Sequence, residues 1–349
     1  MDNANVGNAE NKILPNTDMP KPGISFFCAK AQGERMRLRI HSPPPASRQA
    51  GAMRPGFSVF QSENKWIVSG RTEENIMMKE CLEQVRTQVP LVHNITNYVT
   101  VNDVANVLLA CGGSPIMSDE AEDVEDITSV CGGLNINIGT LHKTSIEGMY
   151  RAGRKANELD HPVLLDPVGA GASRLRTETA LGLMKELRLA AIRGNISEIK
   201  TLSAGSGTTR GVDADVADAV TEDNLDAAVE FVKGFAREAG CIVAVTGAID
   251  LVSDGSRCYV IRNGRPEMGK ITGTGCQLSG IMTAYLVANP DNRLEAAAAA
   301  VCLMGLAGEI GWSRMQEGEG NSTYRNRIID AIYNMTGEEL EKGARYELR

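Results

Sequence analysis

The chain has 349 residues and a formal net charge of −8; 42% of its residues are hydrophobic, 23% are charged and 4% are aromatic. This length and composition suit one large α/β domain or two average domains, and they exclude a disordered polymer and a small disulfide-stabilised protein. The acidic balance argues against nucleic acid as a partner, and the longest nearly unbroken apolar run, 296–308, is shorter than the roughly 18 residues of a membrane-spanning helix.

The spacing of cysteine and histidine indicates reduced thiols. The 8 cysteines include no Cys-x-x-Cys pair, and the 4 histidines show no spacing that would collect zinc ligands. Cysteines scattered through hydrophobic segments suit free thiols better than a disulfide framework. We therefore expect a cytoplasmic protein without a structural zinc site and without a membrane as a partner.

Residues 1–72 differ in composition from the rest of the chain. They are rich in proline and small polar residues and show no sustained periodicity. They lack the apolar stretch of a secretory signal, and their acidic residues fit a transit peptide poorly. We expect a disordered N-terminal extension over 1–72 and a folded domain over 73–349. A gene start placed too far upstream, with Met53, Met77 or Met78 as the true beginning, would explain the same pattern.

From about residue 80 the chain alternates short β-rich runs with helical segments. The runs predict strands at 91–95, 115–117, 134–138, 162–165, 190–193, 241–246, 250–253 and 257–262. The periodicity between them predicts helices at 101–109, 121–130, 145–159, 178–187, 196–203 and 224–238. Repeated strand–helix alternation predicts an α/β fold with a central, mostly parallel sheet covered by helices on both faces.

The last part of the chain departs from this alternation. No helix separates 250–253 from 257–262, and Asp254-Gly255-Ser256 between them predicts a hairpin at the sheet edge. Helices then follow at 276–288, 293–311, 324–334 and 338–346. In an open parallel sheet, ligands bind beyond the carboxyl ends of the strands, so the loops at that edge are the candidates for a functional site.

The segment ITGTGC, 271–276, leads into an apolar helix. The amides of Gly273 and Gly275 at the start of a helix are typical of a phosphate-binding site, and the helix dipole adds positive potential. The same dipole would stabilise a thiolate at Cys276, which could take a proton from a substrate alcohol. A turn of small residues followed by a buried structural cysteine is the alternative, and it is the commoner case for a bare Gly-x-Gly.

A second loop, DPVGAG at 166–171, directly follows a predicted strand. Asp166 at the strand end is a candidate metal or water ligand, and the glycines let a ligand approach the main chain. Arg176 follows as a candidate phosphate clamp. An ordinary Pro/Gly turn with a helix-capping aspartate and a surface arginine explains these residues equally well.

A third loop, RGNISE at 193–198, offers both a helix cap and a metal site. Asn195 and Glu198 have the spacing of an N-cap and its capping-box partner. The functional interpretation places Glu198 beside a magnesium ion. Thr246, at the end of the next strand, either contacts a nucleotide or turns the chain. On its own His93 is better explained as a buried histidine with satisfied hydrogen bonds than as a catalyst.

Taken together, these segments resemble the hydroxyethylthiazole kinase family. The motifs occur in the family's order over about 78–340: HNITN at 93–97, the Met117 segment, NIGT at 137–140, DPVGAG at 166–171, RGN at 193–195 with Glu198, VTG at 245–247 and TGTGC at 272–276. Each is weak alone, and the set is specific. The resemblance implies a ribokinase-like three-layer α/β/α kinase domain that transfers the γ-phosphate of ATP, with Mg²⁺, to the primary alcohol of hydroxyethyl-methylthiazole in thiamine salvage.

The resemblance also implies roles for individual residues and a homotrimer with sites between subunits. Cys276 stands where many ribokinase relatives have an aspartate base. The thiazole pocket would contain Asn97, Val99, Met117 and Gly273; ATP would contact Arg176, Thr246, Gly275 and Asn195; and Glu198 and Asp166 would support magnesium.

Other functions remain open on the same fold. A nicotinamide dehydrogenase is weakened because no Gly-x-Gly-x-x-Gly follows the first strand. A lyase acting on a hydrated nucleotide, a catalytically silent ligand sensor, and a pyrimidine or pyridoxal kinase are the remaining alternatives. An ATP-consumption assay against several vitamin alcohols would separate them.

Overall fold

The computed structural model describes residues 78–205 and 219–349. Its helices are α1 (Met78–Gln88), α2 (Val101–Cys111), α3 (Val124–Val130), α4 (Lys143–Glu158), α5 (Arg174–Glu186), α6 (Ile196–Gly205), α7 (Leu225–Ala239), α8 (Thr274–Ala288), α9 (Arg293–Ser313), α10 (Asn321–Asn334) and α11 (Gly337–Gly343). Its strands are β1 (Leu91–Ile95), β2 (Ser114–Met117), β3 (Gly133–Asn137), β4 (Val163–Asp166), β5 (Ala191–Gly194), β6 (Ile242–Val245), β7 (Asp250–Ser253), β8 (Cys258–Ile261) and β9 (Tyr346–Leu348). The extension expected over 1–72 lies outside the described residues.

The strands form one sheet in the order β2-β1-β3-β4-β5-β6-β7-β8-β9. The pairs from β2 to β6 are parallel, and β7, β8 and β9 add to that edge as antiparallel strands. Strands such as β3 and β4 are buried at every position, as expected for a parallel sheet covered on both faces. The predicted mostly parallel sheet is confirmed.

Helices cover both faces of this sheet. On one face α1, α2 and α8 to α11 share a hydrophobic core with strand residues such as Leu164 and Ala244. On the other face α3 to α7 share a second core with Leu165 and Val243. Neighbouring residues of a strand point to opposite faces, so each buried strand contributes to both cores. The three-layer α/β/α arrangement is therefore confirmed.

Helices α8 and α9 are apolar around most of their circumference because they lie inside the first of these cores. Of the described helices, only α9 is long and apolar enough to cross a membrane, and 89% of its most apolar 18-residue window is buried inside the protein. A helix that is hydrophobic all round is a buried helix in a folded domain. We therefore assign α9 to the core.

The C-terminus differs from its prediction. The helix expected over 338–346 ends at Gly343, and β9 then pairs antiparallel with β8. Cys258 and Arg349 exchange backbone hydrogen bonds of 2.8 and 2.9 Å in this pairing. The β7–β8 hairpin is present as predicted, but its expected position at the sheet edge is wrong, because β9 covers it.

Candidate active site

The candidate residues gather at the edge where the parallel strands end. Because β1 to β6 run in the same direction, the loops that follow them meet at one edge of the sheet. Asp166 is the last residue of β4, and the start of α8 packs against β1, β3 and β4. The other predicted residues follow the strands at this edge or begin α8: Asn97, Val99, Met117, Arg176, Asn195, Glu198, Thr246, Gly273, Gly275 and Cys276.

The start of α8 has the geometry of an anion site. Gly273 caps the helix with φ +82°, a left-handed conformation that favours glycine, and a Cβ there would collide with Thr100. No side chain caps the helix, and its first backbone bond runs from Gln277 N–H to the Gly273 carbonyl at 2.9 Å. The amides of residues 274–276 therefore have no partner within the helix, and the dipole makes them a favourable contact for phosphate.

Arg193 lies directly over this helix start, a position that the sequence interpretation missed. A Cβ at Gly275 would collide with both terminal nitrogens of the Arg193 guanidinium. Its Nη2 donates to Thr246 Oγ1 at 2.6 Å, and its Nη1 lies 3.6 Å from Asp166 Oδ2. The signal was a charged residue within a short apolar strand, since a charge at such a position needs a partner or a ligand.

Cys276 belongs to a buried hydrogen-bond network with Asp166. Asn137 Nδ2 donates to Asp166 Oδ2 at 2.7 Å and lies 3.2 Å from Cys276 Sγ. Ser279, one turn further along α8, donates its hydroxyl to the same Asp166 oxygen at 2.8 Å. The predicted Cys276 and Asp166 are thus brought together, and Asn137 and Ser279 are the connecting residues that the sequence interpretation did not assign.

The protonation of Cys276 differs from its expectation. Burial raises the pKa of the Cys276 thiol above its ordinary value, and the charge of Asp166 raises it further. Hydrogen bonds from Thr100 and Asn137 oppose this increase without cancelling it. Burial and Asp166 therefore oppose the thiolate that the helix start was expected to stabilise, and the catalytic role of Cys276 stays a prediction. At neutral pH the thiol predominates.

Asp166 and Glu198 form the acidic part of the site. Asp166 is fully buried, burial raises its pKa, and its Oδ1 has no hydrogen-bond partner. The charge of Glu198 also raises the pKa of Asp166, so the two carboxylates are near each other. An unpartnered oxygen beside a second carboxylate fits a divalent cation, which would relieve both the lost hydrogen bond and the repulsion. Among the described residues no larger group of metal-binding side chains exists.

Glu198 also has the structural role that the sequence allowed. Asn195 Oδ1 accepts the Glu198 amide at 2.9 Å, and Glu198 Oε2 accepts the Asn195 amide at 2.8 Å. This reciprocal pair is a capping box at the start of α6. The other oxygen, Oε1, accepts the amide of Gly169 at 2.8 Å and so joins the loop after β4 to α6.

The loop between β6 and β7 borders a cavity at the same edge of the sheet. Gly247 N–H donates to Asp250 Oδ1 at 2.8 Å. Burial raises the pKa of Asp250 to about 7, while Arg193 and the bond from Gly247 oppose the increase. A cavity of about 320 Å³ beside this loop is lined by Asn195, Ile196, Ser197, Ala219, Val220, Val245, Thr246 and Gly247.

The residues expected to bind the alcohol lie at the other end of the same edge. Met117 ends β2, the edge strand of the sheet, and is half-buried. Asn97 Oδ1 accepts the Val99 amide at 2.9 Å, and this turn leads to Thr100 beside Gly273. Val99 itself is 67% exposed.

Two other candidates, Arg176 and His93, make their contacts within the protein. Arg176 donates to the carbonyl of Gly139 at 2.8 Å and lies 3.3 Å from the carbonyl of Val168, so it connects two loops. Its phosphate-clamp role stays a prediction. His93 is buried with Nδ1 2.9 Å from Thr128 Oγ1 and Nε2 2.9 Å from the Ser118 carbonyl, which confirms the interpretation as a satisfied buried histidine.

Another cavity, of about 620 Å³, lies at the opposite edge of the sheet. Residues that precede β4, β5 and β6 line it, including Pro162, Ala190 and Cys241. Most of its charged side chains pair with each other, as Arg188 does with Asp160 and Arg257 with Glu295. Ligands of open parallel sheets bind at the other edge, so the chemistry belongs there.

The chain is similar to known kinases over the whole described domain. Residues 82–338 match the model of the hydroxyethylthiazole kinase family. The chain is 58% identical over 271 residues to a hydroxyethylthiazole kinase of Clostridium acetobutylicum, covering 78% of this chain and 99% of that one. It is 44% identical over 270 residues to a hydroxyethylthiazole kinase of Clostridium beijerinckii, covering 77% and 96%.

Solved structures agree with this relationship. The structure of the hydroxyethylthiazole kinase protein from Pyrococcus horikoshii OT3 superposes with a TM-score of 0.70 at 33% identity, covering 78% of this chain and 98% of that one. A ribokinase-like superfamily protein of Enterococcus faecalis V583 shares the fold alone, with a TM-score of 0.50 at 12% identity over 77% of this chain and 92% of that one. The expected ribokinase-like fold is confirmed, and by sequence and by structure the chain belongs to the hydroxyethylthiazole kinase family.

Proposed function

We propose that this protein transfers the γ-phosphate of ATP to the primary alcohol of hydroxyethyl-methylthiazole, a step of thiamine salvage. The observation that carries the proposal is the start of α8, where free amides, the Arg193 guanidinium and Cys276 converge. Phosphoryl transfer needs positioning and neutralisation of charge more than covalent chemistry, and this arrangement supplies both. The family to which the chain belongs carries the same activity in its name.

ATP would lie across the loops that follow β5 and β6. Its phosphates would contact the amides at Gly275, and Arg193 would stabilise their charge from above the helix. The 320 Å³ cavity beside Thr246 and Asn195 would take part of the nucleoside. The two terminal nitrogens of Arg176 lie beside the carbonyls of Val168 and Gly139. Because these contacts hold its guanidinium at the loop after β4, Arg176 would contact a phosphate from that side.

Mg²⁺ would be held by Asp166, through its unpartnered Oδ1, and by Glu198. Both oxygens of Glu198 accept backbone amides, so we expect it to act through a water molecule. When bound, the ion would neutralise charge on the phosphate oxygens.

The alcohol would bind between Asn97, Val99, Met117 and Gly273, with its hydroxyl beside Cys276 Sγ. The Cys276 thiolate would accept the hydroxyl proton as the bond from the alcohol oxygen to the γ-phosphorus forms and the bond to the β–γ bridging oxygen breaks, with ADP leaving. A loose transition state loses this proton late, so the contribution lies at the low end of the roughly 100- to 10,000-fold range for acid–base catalysis. A strong base is therefore unnecessary. Because burial and Asp166 raise the pKa of the thiol, the proton would be accepted by the minor fraction of Cys276 that is thiolate at neutral pH.

The assembly and location belong to the same proposal. A homotrimer with shared sites is supported by Val99, which is exposed beside the alcohol pocket, and by Met117, which lies on an edge strand. A neighbouring subunit would complete the pocket. A cytoplasmic location is supported by the cysteines of the described ranges, which are all free thiols.

The test is an ATP-consumption assay with the purified protein and a panel of alcohols. Hydroxyethyl-methylthiazole, pyridoxal and a hydroxymethylpyrimidine are each offered with and without Mg²⁺, and products are identified by mass. We expect Mg²⁺-dependent phosphorylation of the thiazole alcohol. Preferential turnover of another alcohol would replace the proposed substrate, and no ATP consumption with any alcohol would contradict the activity.

A further inference from the structure

Tyr98, Asp119 and His142 form a hydrogen-bonded cluster outside the site described above. The Tyr98 hydroxyl donates to Asp119 Oδ2 at 2.6 Å, and His142 Nε2 lies 2.7 Å from the same hydroxyl. The rings of Tyr98 and His142 stack with centroids 5.7 Å apart and an interplanar angle of 19°. We refer to these three residues as the Tyr98 cluster.

The direction of the hydrogen bonds in the Tyr98 cluster follows from the backbone. Ser145 N–H donates to His142 Nδ1 at 3.2 Å, and a backbone amide can only donate. In the neutral ring Nδ1 is then the acceptor and Nε2 carries the hydrogen. His142 Nε2–H therefore faces both the Tyr98 oxygen and Asp119 Oδ2, which lies 3.2 Å from it, and the Tyr98 O–H donates to Asp119.

The Tyr98 cluster joins the two loops beside the proposed alcohol ligands Asn97, Val99 and Met117 to the loop after β3. Tyr98 lies between Asn97 and Val99 after β1; Asp119 follows Met117 after β2; and His142 lies in the loop after β3. A separate bond from the Tyr98 amide to Thr140 Oγ1, at 3.1 Å, also connects the first loop to the third. These hydrogen bonds hold the 97–100 turn at Tyr98.

The last residue of the same turn, Thr100, contacts the start of α8. Thr100 packs against Gly273, so closely that no Cβ fits there, and its hydroxyl hydrogen-bonds Cys276. The Thr100 amide donates to the Asn97 carbonyl at 3.0 Å, which closes the turn. A displacement of the turn at Tyr98 would therefore move both the proposed alcohol ligands and the contact with α8.

We propose that the Tyr98 cluster is a positioning device that holds the 97–100 turn in the geometry that binds the acceptor alcohol. The three residues lie in the loops after β1, β2 and β3 and not in the loops after β5 and β6 that are proposed to contact ATP, so the effect should be larger on the alcohol than on ATP. Tyr98 is 55% exposed, and hydrogen bonds at exposed positions contribute little to folding stability. A contribution to folding stability therefore does not explain why all three residues of the Tyr98 cluster are hydrogen-bonded at this position. The inference rests on the proposed function.

The experiment uses Tyr98→Phe, which removes one hydroxyl and keeps the ring stacked on His142. Tyr333→Phe is the matched control, because Tyr333 is 69% exposed on α10, away from the site. We expect Tyr98→Phe to raise KM for the alcohol by about 3- to 10-fold, the effect of losing one ordinary hydrogen bond, with a smaller change in KM for ATP and an unchanged melting temperature. Asp119→Ala, which removes the acceptor of both Tyr98 and His142, should have at least the same effect, and the double variant should be no worse than Asp119→Ala alone.

Hydrogen exchange of the peptide containing residues 97–100 gives a readout that needs no activity. Its amides should exchange faster in Tyr98→Phe than in the wild type and the Tyr333→Phe control. If the wild type fails to phosphorylate a thiazole alcohol, the proposed function falls while this comparison still decides the role of the cluster. Unchanged exchange, or a rise in KM for ATP as large as that for the alcohol, would overturn the proposal.

Discussion

Arg193 and Gly275 constrain each other at the start of α8. The guanidinium occupies the space that a side chain at 275 would need, so glycine there permits the arginine to lie over the helix amides. The charge of Arg193 is balanced by Asp166, and its orientation is held by Thr246. Arg193 near the end of β5 and Gly275 at the start of α8 therefore together place a positive charge beside the helix amides.

This arrangement predicts that Arg193 matters more for ATP than Arg176. Arg193→Ala should lower kcat/KM for ATP by on the order of 100-fold, as removal of one charge-stabilising donor does in other enzymes. Arg176→Ala, which loses contacts to two loop carbonyls, should cost less than about 10-fold. Steady-state kinetics of both variants compare the two losses in kcat/KM for ATP. A larger loss in Arg176→Ala would identify Arg176 as the phosphate clamp.

At Cys276 we expect three substitutions to rank in a fixed order. Cys276→Ala should lower kcat by about 10- to 100-fold with ATP binding nearly intact, because the helix amides are unchanged. Cys276→Asp should retain activity, since a carboxylate suits both the helix start and the base role. Gly275→Val should be worst, because its side chain would collide with Arg193.

The pH dependence separates a proton acceptor at Cys276 from a merely structural thiol. Burial and Asp166 raise the pKa of the thiol, so the thiolate fraction grows as pH rises above neutrality. The kcat of the wild type should therefore rise between pH 7 and pH 9, and this rise should be absent in Cys276→Asp. An alanine variant with unaltered turnover would remove Cys276 from the mechanism.

At the residue scale, the sequence predicts those site residues that follow directly from strand ends. Asp166 and Glu198 are such residues, and the structure places them at one edge. Arg193 was passed over because its neighbours identify it as part of a strand, while its contacts come from β4, β6 and α8. Spacing along the chain carries no information about contacts of that kind.

At the element scale, the start of α6 combines a helix cap with an acidic site. Glu198 closes a capping box with Asn195 and also accepts the Gly169 amide, so one carboxylate orients two loops. A capping box requires one acceptor oxygen, which glutamine also provides, while its NH2 group cannot accept the second backbone amide that Glu198 binds. A metal-supporting role requires the negative charge. The two roles can therefore be separated by a single substitution.

We predict that Glu198→Gln folds with reduced stability and loses Mg²⁺-dependent activity. The free energy of unfolding should fall by about 1–3 kcal/mol, because the glutamine keeps one acceptor oxygen and leaves either the Asn195 or the Gly169 amide without a partner. The Mg²⁺ concentration for half-maximal activity should rise by about 10-fold or more. Glu339→Gln is the control, since Glu339 closes a capping box with Thr336 at α11. Normal Mg²⁺ dependence in Glu198→Gln would leave the cap as the only role of Glu198.

Element type could be predicted wherever a segment is long and its environment uniform. Strands β1 and β7 have their predicted bounds, and α8 to α10 are present with ends shifted by a few residues. The last segment could not be predicted, because 338–346 has helical spacing only as far as Gly343. Beyond it, Tyr346-Glu347-Leu348 becomes a strand by pairing with β8, a partner 85 to 89 residues earlier in the chain.

At the scale of the whole molecule, buried charge is concentrated at the carboxyl edge of the sheet. Asp166 and Asp250 are buried there beside Arg193, and burial raises the pKa of both carboxyls. Charged groups out of water cost free energy unless they are fully paired. The site is therefore expected to reduce the stability of the fold that carries it, which is common for binding and catalytic sites.

Asp250 makes this cost measurable through pH. Its pKa is about 7 in the folded protein, against an ordinary value of 3.8. Between these values the folded state binds a proton that the unfolded state has released, so the free energy of unfolding should fall as pH rises from 4 to 7. Asp250→Asn carries no charge and keeps an oxygen for the Gly247 amide. At pH 8 this variant should be more stable than the wild type by at most ~4 kcal/mol, and at pH 4 the difference should be small.

Urea unfolding of the two proteins at pH 5 and pH 8 measures that difference, with Asp330→Asn on the exposed surface of α10 as the control. The wild type and the control should lose stability together as pH rises, and Asp250→Asn should lose less. A higher free energy of unfolding of Asp250→Asn at pH 8 would show that the negative charge of Asp250 at the β6–β7 loop destabilises the fold. Equal pH dependence in all three proteins would mean that the Asp250 carboxyl titrates alike in the folded and unfolded states, and that the stability cost of this edge lies with Asp166 and Arg193.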